Sequence, residues 1–161
     1  MIVVRAATME EWQVLRDIRL AALRDAPSAF GSTYAKQAAS IEADWRRRIS
    51  RGRTFFAYVA EVNETEPAGL VGSSQEQPGT VELVSLWVRP QARGLGVGQA
   101  LVDAVISWAK VRSAAFVHLW LTEGNQRALA LYERCGFALT GERQPLPSKP
   151  NLTEIGMIRP L

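Results

Sequence analysis

Cysteine and histidine are nearly absent: 161 residues contain one of each, Cys135 and His118. A lone thiol cannot close an internal disulfide, and one thiol with one imidazole is too small a ligand set for a zinc site, so no metal is expected. Long apolar runs are missing as well. No segment approaches the roughly 20 apolar residues of a membrane-crossing helix, and the first residues lack the pattern of a secretory leader. The expectation is a cytoplasmic protein with no membrane partner. Excess charge is small too, since 19 Lys and Arg against 16 Asp and Glu leave a net charge of +3. The dense basic cluster is Arg46, Arg47, Arg48, Arg51 and Arg53. No recognised nucleic-acid module surrounds it, so it reads as a solvated helix face, and nucleic acid is not an expected partner. Apolar residues are plentiful, at 47% of the chain, and support one compact domain over residues 1–161.

The most informative stretch is residues 83–104, LVSLWVRPQARGLGVGQALVDA. It passes from a strand pattern, through a turn on Gly94, Gly96 and Gly98, into a helix pattern. A helix that opens on glycines presents unpaired backbone N–H groups, and its dipole adds positive potential there, so a phosphate is the natural occupant. Gly98 is followed by Gln99 and Ala100, without the Lys and hydroxyl residue of a nucleoside triphosphate loop. A dinucleotide fingerprint would need its third glycine at Gln99 and an acidic residue about 20 positions further on, where residues 111–118 hold none.

Residues 93–98, RGLGVG, resemble the acyl-CoA pyrophosphate motif (Q/R-x-x-G-x-G/A) of the GNAT N-acetyltransferase family. A second block, EGNQRALALYERCGF at residues 123–137, resembles that family's late helix, N-x-x-A-x-x-L-Y-x-x-x-G-F, at Asn125, Ala128, Leu131, Tyr132, Gly136 and Phe137. Two motifs in the right order, with a plausible strand between them, are far more specific than either alone. The resemblance covers nearly the whole chain. It implies a mixed α/β fold: one mostly antiparallel sheet of about seven strands flanked by about four helices, with a splayed parallel pair at the acyl-CoA site.

Local patterns agree with such an alternation. Residues 2–6 form a β-branched strand; Thr8 with Glu11 makes a capping box before a helix to about Arg24, on which Trp12, Leu15, Ile18 and Ala22 share the core face. A second helix is expected from Ser40 or Ile41 to Ile49. Strands follow over residues 54–61, 68–75 and 81–88, then the helix after the glycines with Val97, Leu101, Ala104, Val105 and Trp108 inward. Strand 116–121, helix 125–135, strand 137–142, a proline-rich loop and strand 153–158 complete the chain.

The resemblance also implies the chemistry, transfer of an acetyl group from acetyl-CoA to a primary amine by direct attack in a ternary complex. Backbone groups of Leu86, Trp87 and Val88 would pair with the pantetheine arm. Arg93, Gly94, Leu95, Gly96, Val97, Gly98 and Gln99 would surround the pyrophosphate. Tyr132 would donate a proton to the leaving thiolate. Asn125 can cap its helix and reach the pantetheine. Glu82 is the candidate general base; it lies four residues before Leu86, hence on the same face as Leu86 and Val88 unless a bulge intervenes, and a cross-strand ion pair is its other reading. Phe30, Tyr34, Trp45 and Glu154, with the loop at residues 144–151, are the candidate acceptor contacts, with simple packing an equal reading for Phe30 and Trp45. Cys135 reads as a small buried thiol rather than an acyl carrier, and His118, in an apolar stretch, as a buried, hydrogen-bonded imidazole. Two other readings remain, a non-catalytic acyl-CoA-binding regulatory module and a nucleic-acid module using the arginine cluster. A monomer or homodimer is expected.

Overall fold

A computed structural model describes residues 1–161. Seven strands form one sheet in the order β1-β2-β3-β4-β5-β7-β6. They are β1 (Ile2–Ala6), β2 (Gly52–Val59), β3 (Gly69–Gln77), β4 (Thr80–Val88), β5 (Phe116–Thr122), β6 (Ala138–Leu146) and β7 (Lys149–Pro160). Every neighbouring pair is antiparallel except β4 and β5, which run parallel. Five helices accompany the sheet, one more than expected: α1 (Trp12–Asp25), α2 (Tyr34–Ala38), α3 (Glu42–Ser50), α4 (Val97–Val111) and α5 (Gln126–Arg134). The additional one is α2, a single short turn whose cap is Thr33, its hydroxyl accepting from the Lys36 N–H at 3.2 Å.

Each face of the sheet has its own core. On one face Val81 and Leu83 of β4, with Val117, Leu119 and Leu121 of β5, pack under Val97, Leu101, Val102, Val105 and Ile106 of α4 and Tyr132 of α5. On the other, Phe56, Leu70 and Trp87 meet Leu15, Ile18, Ala22 and Leu23 of α1 and Trp45 and Ile49 of α3. The helix-period positions expected on α1 are buried or packed against this second core, as the 3.6-residue repeat requires. The Thr8 to Glu11 cap forms, with the Thr8 N–H donating to the Glu11 carboxylate at 2.9 Å, but the first turn is a 3-10 turn and α1 proper begins at Trp12.

One expectation about the C-terminal third fails. Residues 144–151 are not a proline-rich loop: β6 runs to Leu146 and β7 starts at Lys149, leaving a hairpin tip of Pro147 and Ser148. The prolines are compatible with strands here for local reasons: Pro145 lies on the edge strand β6, Pro147 sits at the tip, and Pro150 lies on β7 outside the stretch that pairs with β5.

Candidate active site

The parallel pair sets the geometry. β4 and β5 pair over only four positions, from Thr80 opposite Phe116 to Leu83 opposite Leu119. Beyond Leu83, β4 stays bonded to β3, with Leu70 opposite Trp87 and Gly69 opposite Val88, but has no partner on its β5 side. Leu86 and Val88 therefore turn their backbone groups toward the gap, the Val88 carbonyl already accepting from Arg93, whereas those of Trp87 face Leu70 of β3, because the bond from the Arg89 N–H to the Ala68 carbonyl fixes the phase of the ladder; the expectation for the Trp87 backbone is corrected. The glycine turn follows immediately. Gly94 and Gly96 have φ of +81° and +90°, a region that a side chain makes costly, and Gly96 is the N-cap of α4. The first helical bond runs from the Ala100 N–H to the Gly96 carbonyl at 3.1 Å, so the N–H groups of Val97, Gly98 and Gln99 have no partner within the helix.

These pieces enclose a cleft of about 600 Å³. Leu86, Trp87, Val88, Arg93, Gly94, Gly96, Val97, Gly98, Gln99 and Asn125 all line it. A Cβ added at Gly94 would meet nothing within 4 Å, so that backbone opens directly to the cleft. Leu95 is the exception among the expected contacts: it does not line the cleft and is 53% exposed, turned outward by the two left-handed residues that flank it. Asn125 satisfies both of its readings, since its side chain accepts from the Ala128 N–H at 3.2 Å and borders the cleft. Arg127 and Arg134 of α5 also line it, beyond the residues the motifs point to. Their signal is helical spacing from Leu131, four residues after Arg127 and three before Arg134. Arg93 is already engaged: Nε donates to the Val88 carbonyl at 3.0 Å and Nη2 to Asp25 at 2.7 Å. Asp25 also accepts from the Trp87 indole at 2.9 Å, and these two donors hold its carboxyl below the usual range.

Glu82 lies on the opposite face of the sheet from Leu86 and Val88. Val81 and Leu83 face α4, so Glu82 faces away; after it, Leu86 and Val88 pack on the α4 core while Trp87 joins the α1 core. The phase is reset by an irregularity between the Leu70 and Gly72 pairings, where Ser85 takes a φ of +62°. The same-face expectation is therefore corrected, and the bulge is the reason.

On its own face Glu82 meets His118. The imidazole Nδ1 lies 2.8 Å from Glu82 Oε1, and Nε2 lies 2.8 Å from Glu142 Oε1. Burial opposes protonation of His118, but hydrogen bonds to the two carboxylates outweigh it and raise its pKa. Burial raises Glu82 despite the opposing pull of His118, and Glu142 is lowered by the Thr140 hydroxyl and by His118. His118 is hydrogen-bonded as expected, yet its carboxylate partners join two strands that sequence spacing did not link. With Ser74, Glu76, Trp120 and others they line a cavity of about 510 Å³.

Tyr132 is buried in the α4 core, edge-on to Phe137 with ring centroids 5.7 Å apart, and does not line the cleft. Burial raises the pKa of its hydroxyl, which keeps the phenol protonated. Cys135 is buried and its thiol is pushed up by burial.

Among the acceptor candidates, Phe30 lines the cleft from a loop that is tied down at both ends of its span. Thr122 Oγ1 donates to the Ser28 carbonyl at 2.6 Å, Lys149 Nζ to Ser28 Oγ at 2.9 Å, and Ser148 Oγ to the Phe30 carbonyl at 2.5 Å. Tyr34 stands apart on α2, its hydroxyl accepting from Arg24 at 2.7 Å, and does not line the cleft. Of the two readings of Trp45 the packing one holds and the acceptor contact is corrected: at 1% exposure it is core, because the i, i+4 pair with Ile49 is the apolar stripe of α3. Glu154 is buried and accepts from Gln144 Nε2 at 2.5 Å, so it is already paired. The arginine cluster also divides, with Arg46 bonded to Glu42 and Arg47 to Asp44 on the exposed side of α3.

A splayed parallel pair feeding a glycine-capped helix is matched by sequence. The profile of the Acetyltransferase (GNAT) family covers residues 12–137. The chain belongs to this family. Relatives of this GNAT protein include an uncharacterized N-acetyltransferase of Methanocaldococcus jannaschii, 36% identical over 86 residues that make up 50% of this chain and 38% of that one. The mycothiol acetyltransferase of Salinispora arenicola is 34% identical over 114 residues, 65% of this chain and 36% of that protein. The matched region thus spans less than two fifths of either relative. Among solved structures, the ribosomal-protein-alanine N-acetyltransferase from Brucella melitensis superposes with a TM-score of 0.79 at 21% identity, covering 99% of each chain. A putative acetyltransferase from Salmonella typhimurium with its cofactor acetyl-CoA superposes with a TM-score of 0.75 at 17% identity, covering 100% of this GNAT chain and 94% of that one. No helix of the present GNAT protein is long and apolar enough to cross a membrane.

Proposed function

We propose that this chain is an acetyl-CoA-dependent N-acetyltransferase acting on a primary amine by direct transfer in a ternary complex. The observation that carries the reading is the four-position pairing of β4 with β5, which opens into a cleft flanked by the unpaired edge of residues 86–88 and the free N–H groups of α4. The residues fit an acyl-CoA. Val97, Gly98 and Gln99 present N–H groups to its pyrophosphate, with Arg127 and Arg134 adding charge beside them. The edge of residues 86–88 receives the pantetheine amides as an added strand. The backbone N–H of Val88 polarises the thioester carbonyl.

Transfer needs a neutral amine, and an alkylamine titrates near 10.4, so a base assists. Glu82 is that base. Its position on the face opposite the glycine turn suits the role, because the gap between β4 and β5 lets donor and acceptor approach from opposite sides of the sheet. His118 links Glu82 to Glu142, which is half-exposed, and the chain of hydrogen bonds gives the accepted proton a route to solvent. Tyr132, behind the cleft lining, serves as a hydrogen-bond donor toward the departing thiolate: burial keeps its phenol protonated, and because its pKa is raised above 10 while the thiol titrates near 8.5, the thiolate takes its proton from solvent rather than from the phenol. The buried, poorly ionised Cys135 speaks against a covalent relay.

The decisive experiment is thiol release from acetyl-CoA across a panel of primary amines, run with wild type and Tyr132→Phe. Turnover that needs an amine and falls on Tyr132→Phe supports the proposal. Binding of CoA without turnover of any amine would instead identify an acyl-CoA-binding regulatory module.

A further inference from the structure

A second cavity of about 170 Å³ opens on the Glu82 face of the sheet, between α1, α3 and the middle of β3 and β4. Three arginines line it, Arg19, Arg48 and Arg51, and no carboxylate does. Arg19 is the unusual one. It is 5% exposed, its Nε donates to Gln37 at 2.9 Å, and its guanidinium lies 4.6 Å from the centroid of the Phe30 ring. Its Nη1 has no hydrogen-bond partner at all. Burial, and then the charge of Arg48, lower its pKa to about 9. A buried guanidinium beside a second cation, with an orphaned donor, is costly unless an anion completes it. Thr54 and Ser85 add hydroxyls to the same walls, and Ser85 is the residue with a φ of +62° at the bulge. A strained, non-glycine residue at a cavity wall is a recurrent mark of a binding site.

This basic cavity adjoins the acidic one. Ser74 and Val84 line both, and Glu82, His118 and Glu142 stand on the other side of that shared wall. Together they form a groove with a cationic end and an anionic end, next to the gap where residues 86–88 would hold the thioester. We propose that the acceptor is a bifunctional molecule, an amine that carries an oxyanion, with the oxyanion seated at Arg19, Arg48 and Arg51 and the amine delivered to Glu82. The inference rests on the acetyltransferase reading for the fate of the amine. Spacing narrows the class further. Glu82 lies two strand steps, about 7 Å at roughly 3.3 Å per residue, from Val84 on the shared wall, and the arginines line only the cavity on the far side of it, so amine and oxyanion are separated by several bonds rather than sharing one carbon.

The test compares kcat/KM for three series of equal length: ω-amino acids from glycine to 6-aminohexanoate, aminoalkylphosphonates, and n-alkylamines. The expected result is a preference of at least tenfold for an oxyanion series over the alkylamines, greatest at three or more carbons, with the better of the two oxyanion series naming the group. In Arg48→Gln and Arg19→Gln that preference falls severalfold or more, while CoA affinity, measured separately, reports that each variant is folded. Arg48 lies on an exposed helix surface and keeps the test alive if Arg19→Gln does not fold. Equal kcat/KM for the charged and neutral series, or a preference unchanged in both variants, overturns the proposal. Calorimetric binding of 6-aminohexanoate and its alkylamine counterpart separates the two claims. Arg48-dependent binding of the amino acid without acetylation retains the pocket and rejects acetyl transfer; turnover of amines without charge preference does the reverse.

Discussion

The two halves of β4 build their sites by different means. After Ser85 the strand and its glycine turn put the backbone of residues 86–99 along one wall of a donor cleft, which the loop at Phe30 and helix α5 close from the other sides. Before Ser85 the groove is made from side chains that arrive from distant segments, Arg19 on α1, Arg48 on α3, Glu82 on β4, His118 on β5 and Glu142 on β6. A backbone-built site depends on φ, on an unpaired edge and on a helix terminus, so it tolerates many side chains and is broken by few. A side-chain site has the opposite sensitivity, because each contact is one substitution away from another specificity.

Substitutions chosen on either side of Ser85 should separate these sensitivities. The largest expected effect is Glu82→Gln, which lowers kcat by roughly 10² to 10⁴ as for loss of a general base, with the Kd for CoA unchanged; an equal loss of CoA binding would mean that the halves are not independent. Trp45→Ala should cost about 3–5 kcal/mol of stability, the usual range for an aromatic cut from a core, and lower the denaturation midpoint while leaving acceptor KM in place. A selective rise in acceptor KM would return Trp45 to the groove. Gly96→Val forces a β-branched side chain into a left-handed position, a strain of about 1–3 kcal/mol, and should weaken CoA binding by roughly ten- to a hundredfold without altering the ranking of amines.

The smallest effect is a slope. His118 has a pKa raised above its ordinary 6.5, so its protonated form contributes stability that is full below about 6.5 and lost as pH rises through the raised value. Glu142, lowered from 4.5, contributes stability present above that value and lost as pH falls through the lowered one. His118→Gln should therefore flatten the decline in stability on the alkaline side of 6.5, read by thermal denaturation across pH. A wild-type curve with no decline there would show that the hydrogen-bonded chain is not held by charge.

The difference between the halves also explains which parts were legible in the sequence. The glycine spacing, the Asn125 to Phe137 block and strand β4 itself carry their meaning in local order, and of the residues expected at the donor cleft all but Leu95 and Tyr132 line it. Leu95 was misplaced because motif membership does not reveal which way a side chain turns between two left-handed residues. Acceptor contacts were harder. Trp45 looked like a ligand platform because aromatic character does not distinguish packing from binding, and the i, i+4 link to Ile49 was the cue that favoured packing. The cross-strand pair that the sequence offered as the other reading of Glu82 forms, with His118 of β5, but the face of Glu82 was not legible, since a two-residue period holds only until a bulge resets it. The partnership of His118 with Glu142 depends on β7 lying between β5 and β6, a sheet order that no single segment encodes.

The bulge at Ser85 has a corollary. It adds one residue to β4 while Val81, Leu83, Leu86 and Val88 all stay beneath α4, and the extra position is the one that walls the basic cavity. Removing it would leave a plain alternation with Glu82 still on the face away from α4, so on the proposed function a deletion at Ser85 should spare the fold and CoA binding and change the ranking of amines, whereas a deletion within residues 81–84 would turn apolar side chains out of the core. A deletion scan along β4 would read that contrast directly.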